Sequence, residues 1–157
     1  MKKRFARSFR RRGAAIVSTA IVGFPLLLVA SALAIDFGKI FGSQGDMQRA
    51  ADAAALAAAG ALSENIADAN QLATARLAAQ QYVESNTIFG EQLTIDPLVD
   101  VVFGSSELSL STGVYSFAPT ENSPNAARVT IRYTANSPNG SAPLLFAKAF
   151  GVSSTNL

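Results

Sequence analysis

The carboxylates Asp96, Asp100 and Glu107 are the nearest approach in this sequence to a metal-ligand set. Oxygen ligands of this kind suit Ca²⁺, but their spacing lacks the calcium-loop pattern and the glycine that its sharp turn requires. They are expected at a solvated strand edge, and no metal is assigned. Asp46, Arg49 and Asp52 recur at intervals of three, which suits a surface ion ladder on a helix. Such exposed pairs contribute roughly a few tenths of a kcal/mol each. Histidine and cysteine are both absent. Their absence excludes disulfides, zinc sites of the usual ligands, Ser-His-Asp triads and cysteine nucleophiles. No GK[ST] phosphate loop and no D-x-S-x-S pattern occurs. Two carboxylates alone can cleave a glycoside, yet no acids pair in an aromatic-lined setting. No catalytic or cofactor-binding residue is assigned, and no cofactor or small-molecule substrate is expected.

Charge and hydropathy divide the 157 residues sharply. Lys2, Lys3, Arg4, Arg7, Arg10, Arg11 and Arg12 crowd the first twelve positions without an acid. The net charge of +2 therefore conceals a basic end and a mildly acidic body. A nucleic-acid-binding domain would spread its bases over a folded face and interleave them with aromatics, so no nucleic-acid partner is expected. Hydrophobic residues reach 49% while charged ones are 15%, low for a soluble domain.

Much of that apolar excess lies in Ala14 to Ile35, 22 residues without a charge. A helix of that length spans roughly 33 Å, enough for a hydrocarbon core of about 30 Å. Ser18, Thr19 and Ser31 can bond back to helix carbonyls, and Pro25 near the middle is expected to kink the span. The bases before it and Asp36 just after it put the N-terminus in the cytoplasm by the positive-inside rule. A cleaved secretory signal is the competing reading, since Ala30-Ser31-Ala32 and Ala32-Leu33-Ala34 both have the small-x-small cleavage pattern. The run is longer than a usual signal core, and helix-compatible sequence continues beyond it. Arg10, Arg11 and Arg12 are explained as positive-inside charge rather than as a twin-arginine signal.

The chain then divides into a basic cytoplasmic stub (1–13), the span (14–35), an Ala/Gly-rich helical extension (36–62) and a small extracytoplasmic α+β domain (63–157). Residues 50–62 contain nine alanines, the strongest helix former. Gly38, Gly42, Gly45, Arg49, Asp52 and Leu56 follow four-three spacing and share one face. The small residues there suit close helix packing, or else loosen a joint at Gly42 to Gly45. A second helix is expected from near Asn65 to Ser85, capped by Ser63, with Leu62, Ile66, Ala69, Ala73 and Leu77 on its apolar stripe. Asp68, Arg76 and Glu84 would face water. Short strands are expected at Val99–Phe103, Glu107–Leu110 and Val114–Phe117. The clearest is Ala127–Tyr133, where apolar and polar residues alternate strictly. Gly104 to Ser106 and Pro119 to Asn125 read as connections, and Asn136 to Gly140 as a turn-rich loop. Pro143 suits the start of a short helix, Leu144 to Phe150, stopped at Gly151. After Thr155 a further alternating strand is expected, which suggests a shortened chain. The fold class is α+β: a transmembrane helix continuing into an Ala-rich helix, then a second helix and a small antiparallel sheet.

The first 62 residues carry a resemblance. A stub ending Arg12-Gly13-Ala14 leads to the span, then to Ile35-Asp36-Phe37-Gly38-Lys39, then to Met47-Gln48-Arg49-Ala50-Ala51-Asp52 and an alanine run. This resembles the TadE/TadG-like family of the Flp (tight adherence) pilus-assembly system. That family's run is an apolar stretch, (V/I)-D-x-G-(R/K), then L-Q-x-A-x-D-A-A-A-L-A. Met47 stands for the leucine, and Asp36, Gly38, Gln48 and Asp52 are the matching motif positions. The resemblance implies a single-pass inner-membrane protein of a bacterial envelope with its domain in the periplasm or outside. Some members are cut after a glycine and carry glutamate at the fifth mature position. Here Gly13 would precede the cut and Ser18 takes that place, which favours the uncleaved, TadG-like branch. The expected role is a non-enzymatic assembly or anchoring component whose partners are the lipid bilayer and other pilus-assembly or envelope proteins. Gly38, Gly42 and Gly45 would pack on a partner helix. The alternative is a secreted or cell-surface binding protein whose first 34 or so residues are a cleaved signal.

Overall fold

Helix α1 (Ala6–Ala61) carries the chain without a break from the basic segment through the apolar run and into the alanine-rich segment. The computed structural model describes residues 6–62 and 69–157. The expected Ser63 cap, together with Ile66 and Asp68, lies outside the described residues. Pro25 sits inside α1 and has no N–H to give the carbonyl of Ile21, four residues back. Ser18, Thr19 and Ser31 each donate to the carbonyl four residues back, as apolar surroundings demand of a hydroxyl. The side chains of the apolar run are exposed, Ile21 and Leu27 by 67% and 68%. The described residues thus include one helix long and apolar enough to cross a membrane.

No joint interrupts α1 at Gly42 to Gly45. Ser43 is buried, and its hydroxyl bonds the carbonyls of Lys39 and Ile40, so this polar side chain is satisfied within the helix. The outer half of α1 supplies Met47, Ala50, Ala51, Ala54 and Ala58 to the core. Helix α2 (Ala69–Glu84) packs along it through Leu72, Ala75, Ala79 and Val83. Alanine on both sides leaves little between the two backbones, which is how a contact rich in small residues gains its packing.

The apolar stripe expected of α2 is displaced. Ala73 and Leu77 face outwards, Leu77 by 53%, and the buried stripe begins instead at Leu72. With so many alanines in the segment, periodicity alone could not rank one face above another. Arg76 does not stand free in water either: it pairs with Glu121 and lies 4.9 Å from the Phe103 ring centre.

A hairpin of β1 (Thr87–Ile88) and β2 (Glu91–Gln92) follows, turned through Phe89 and Gly90 at positive φ. The main sheet is antiparallel, with β3 (Val101–Leu108) at its centre between β4 (Tyr115–Pro119) and β5 (Ala126–Val129). Gly104 to Ser106, expected as a connection, is the middle of β3, so two expected strands are one. Gly104 is there for close approach: a Cβ on it would fall 2.5 Å from the Phe117 ring and 2.6 Å from the Ala118 carbonyl oxygen. The ladder of β5 ends at Val129, short of Tyr133, but the alternation persists, with Val129, Ile131 and Tyr133 all buried.

Asp100 corrects the expectation of a solvated acid. It is 3% exposed, and its carboxylate accepts from Arg132 at 2.7 Å and from the Asp96 backbone N–H at 2.9 Å. Pro143 does not open a helix but pairs within β6 (Ala142–Pro143), against β7 (Ser154–Thr155). Only a single 3-10 turn, Ala147–Phe150, forms between them, closed by Gly151 in the left-handed conformation.

Candidate functional site

Asp36 is the first charged residue beyond the apolar run, and it is 4% exposed. Its carboxylate accepts hydrogen bonds from the backbone N–H groups of Leu145 (3.0 Å), Phe146 (3.0 Å) and Ala147 (2.7 Å). These donors open the 3-10 turn, where N–H groups have no partner within the turn itself. Neither the turn's own N-cap position, Phe146, nor any neighbouring side chain supplies a cap. A carboxylate from another element does so instead. Burial would raise the Asp36 pKa, but the three N–H donors and the nearby Lys39 outweigh it and hold the carboxyl below its ordinary value. The group is thus a carboxylate at neutral pH, joining α1 at the end of its apolar run to a segment more than a hundred residues away.

The glycines of the expected packing stripe lie on the other side of the same helix. Asp36, Ser43, Met47, Ala50, Ala54 and Ala58 are buried against the domain. Gly38, Gly45, Arg49, Asp52 and Leu56 each follow one of these by two residues, a rotation of about 200°. All of them, and Gly42 with them, are exposed. A Cβ on Gly38, Gly42 or Gly45 would meet nothing within 4 Å. Among the described residues the domain therefore leaves Gly38, Gly42 and Gly45 uncovered.

Of the motif positions, Gln48 and Asp52 are brought together, the amide of Gln48 donating to Asp52 at 2.7 Å. That bond replaces the outer rung of the expected ladder, because Arg49 pairs with Asp46 (2.5 Å) and not with Asp52. Asp52 and Leu56 edge an open groove whose far wall is Ser106, Tyr115 and Asn125. Asp96, Asp100 and Glu107 do not converge, Asp100 being committed to Arg132 and Glu107 lying in β3 opposite Ser116. Among the described residues no group of three or more acids is placed to hold a metal ion.

The Asp36 connection could not be read from sequence. An acid at the end of an apolar run looks like a boundary charge, and its partners are backbone N–H groups, which carry no residue signature. The segment Leu144 to Phe150 reads as a short helix stopped at Gly151, with nothing to mark it as a partner of α1.

Two family models match the chain. One, described as Flp pilus-assembly TadE/G-like, matches residues 13–61. The other, described as Tad-like Flp pilus-assembly, matches residues 43–157. The two overlap on the outer half of α1 and do not separate TadE-like from TadG-like members. No curated protein and no solved structure matches the chain.

Proposed function

The chain belongs to the Tad-like Flp pilus-assembly family, and we propose on that footing that it is a non-enzymatic, membrane-anchored component that assembles or anchors an Flp-type pilus in a bacterial envelope. The observation that carries this reading is the continuity of α1. One unbroken helix supplies both an apolar run of bilayer length and the alanines of the domain core. Force or motion at the membrane is then transmitted to the domain through a rigid rod, with Asp36 tying the two at the exit. The N-terminus is cytoplasmic, the span crosses the inner membrane once, and the domain lies outside. Ser18, in place of the glutamate of processed members, favours a chain that keeps its N-terminal segment. The glycine face of α1, turned away from the domain, is the surface offered to neighbouring helices of the assembly.

A reporter active only outside the cytoplasm, fused after Leu157, tests the orientation, and it should be active while a cytoplasmic reporter stays silent. Mass measurement of the membrane-fraction protein should return an uncut N-terminus. An N-terminus at Ala14 would mean prepilin-type processing, and one near Leu33 or Ile35 would replace this reading with the secreted binding protein. Deletion of the gene should abolish or reduce piliation.

A further inference from the structure

We infer that the segment Leu144 to Val152 is a second membrane contact, which seats the domain on the outer face of the bilayer that α1 crosses. The inference rests on the anchoring of α1 proposed above and concerns a different part of the chain. Its basis is the height at which Asp36 holds this segment. The charge-free run ends at Ile35, so Asp36 stands about 1.5 Å further along the axis, at the edge of the hydrocarbon core. Helix side chains tilt towards the N-terminus, which brings the carboxylate back over the last apolar turn. The backbone N–H groups of Leu145, Phe146 and Ala147 lie within 3.0 Å of that carboxylate. The segment is therefore fixed at headgroup depth beside the span.

What it presents there suits lipid. Leu145, Phe146 and Val152 are 54%, 43% and 51% exposed, so each keeps a large apolar surface that the domain leaves open. Lys148, also exposed, lies among them as a cation for lipid phosphates. Phe37 on α1, one residue past Asp36, is 56% exposed at the same height. An apolar rim with a basic residue, at the depth where chains meet headgroups, is the composition of an interfacial anchor. The opposite end of the domain differs in position. Val129, which pairs with Val101 of β3, shares one groove with Gln44 and Met47, and Ser106 of β3 shares the other with Asp52 and Ala59, so β3 runs outwards along α1. Leu110, in the turn after β3, is 94% exposed at the end farthest from the span.

The chain has no tryptophan, so depth can be read from single introduced ones. Full-length Phe146→Trp, Val152→Trp, Leu110→Trp and Ile21→Trp would be reconstituted into phosphatidylcholine–phosphatidylglycerol vesicles. Lipids brominated near the headgroup end of the acyl chain, or deep within it, serve as quenchers. Emission from Phe146→Trp and Val152→Trp should be blue-shifted and quenched most by the shallow bromines, and Leu110→Trp should keep its emission. Val152→Trp decides the matter if Phe146→Trp does not fold. Quenching of Ile21→Trp without quenching at either segment position overturns the contact and leaves the anchor standing, a protein then being the cover. Equal quenching at Leu110 also overturns it, since the whole domain would lie on the surface. An unquenched Ile21→Trp removes the anchor, and this inference with it.

Discussion

Asp36 and Ala147 are 111 positions apart in the chain and 2.7 Å apart in space, carboxylate oxygen to backbone nitrogen. Together with the bonds to Leu145 and Phe146, this contact closes the domain onto the helix at the point where the helix leaves the apolar run. Replacing Asp36 by alanine leaves three N–H groups at the start of a 3-10 turn without an acceptor. The backbone amides of residues 145–147 should then exchange hydrogen markedly faster, while those of β3 keep their protection. Hydrogen exchange on detergent-solubilised protein checks this. Equal protection in the two chains would mean that β6 and β7 hold the segment unaided.

The same contact predicts a pH dependence of definite sign. The Asp36 pKa is lowered in the folded chain, so the folded state binds this proton less readily than the unfolded one. Its contribution is fully present above the unfolded value of about 4 and is lost as pH falls through the lower folded value. Thermal midpoints should show this as a loss below about pH 4 in the parent chain. In Asp36→Asn, whose amide does not titrate, that part of the acid loss should be missing, so the gap between the two midpoints narrows with acidification. A constant gap from pH 7 to 3 would contradict it.

The glycine face gives a test in which fold and assembly separate. Because a Cβ at Gly38 or Gly42 meets nothing within 4 Å, larger residues should not disturb the chain itself. Gly→Ala at either site should stabilise the helix by about 1 kcal/mol, and Gly→Leu should leave insertion and thermal unfolding intact. If a partner helix packs here, the double leucine variant should lose crosslinking and piliation because its side chains hold the backbones apart. Unchanged crosslinking and piliation in that variant would dismiss the packing surface.

Gly104 makes the converse prediction. Alanine there drives its Cβ into the Phe117 ring and, less avoidably, the Ala118 carbonyl oxygen on the neighbouring strand. The central strand must shift, at a cost of about 1–3 kcal/mol, measurable as a lower denaturation midpoint. A neutral Gly104→Ala would show that the β3–β4 pair has more freedom than this spacing allows.

How far the chain explained itself depended on whether a feature was local. The long apolar helix was legible because hydrophobicity and charge need only be summed along the sequence. The motif Asp36, Gly38, Gln48 and Asp52 pointed to the family that the matching models identify. The alternation from Ala127 to Tyr133 described the buried face correctly, although the hydrogen-bonded ladder stopped at Val129. Other features needed the tertiary structure. An alanine-rich helix has no strong face, so which side of α2 is buried was decided by α1 and the sheet. A glycine inside a strand looks like a turn until Phe117 is seen lying against it. Asp100 looked solvated because Arg132 is 32 residues away, and Asp36 looked like a boundary charge because its partners are backbone amides. Local propensity is written in neighbouring residues; a carboxylate's distant donors, and the face that a uniform helix turns inwards, exist only once the chain has closed.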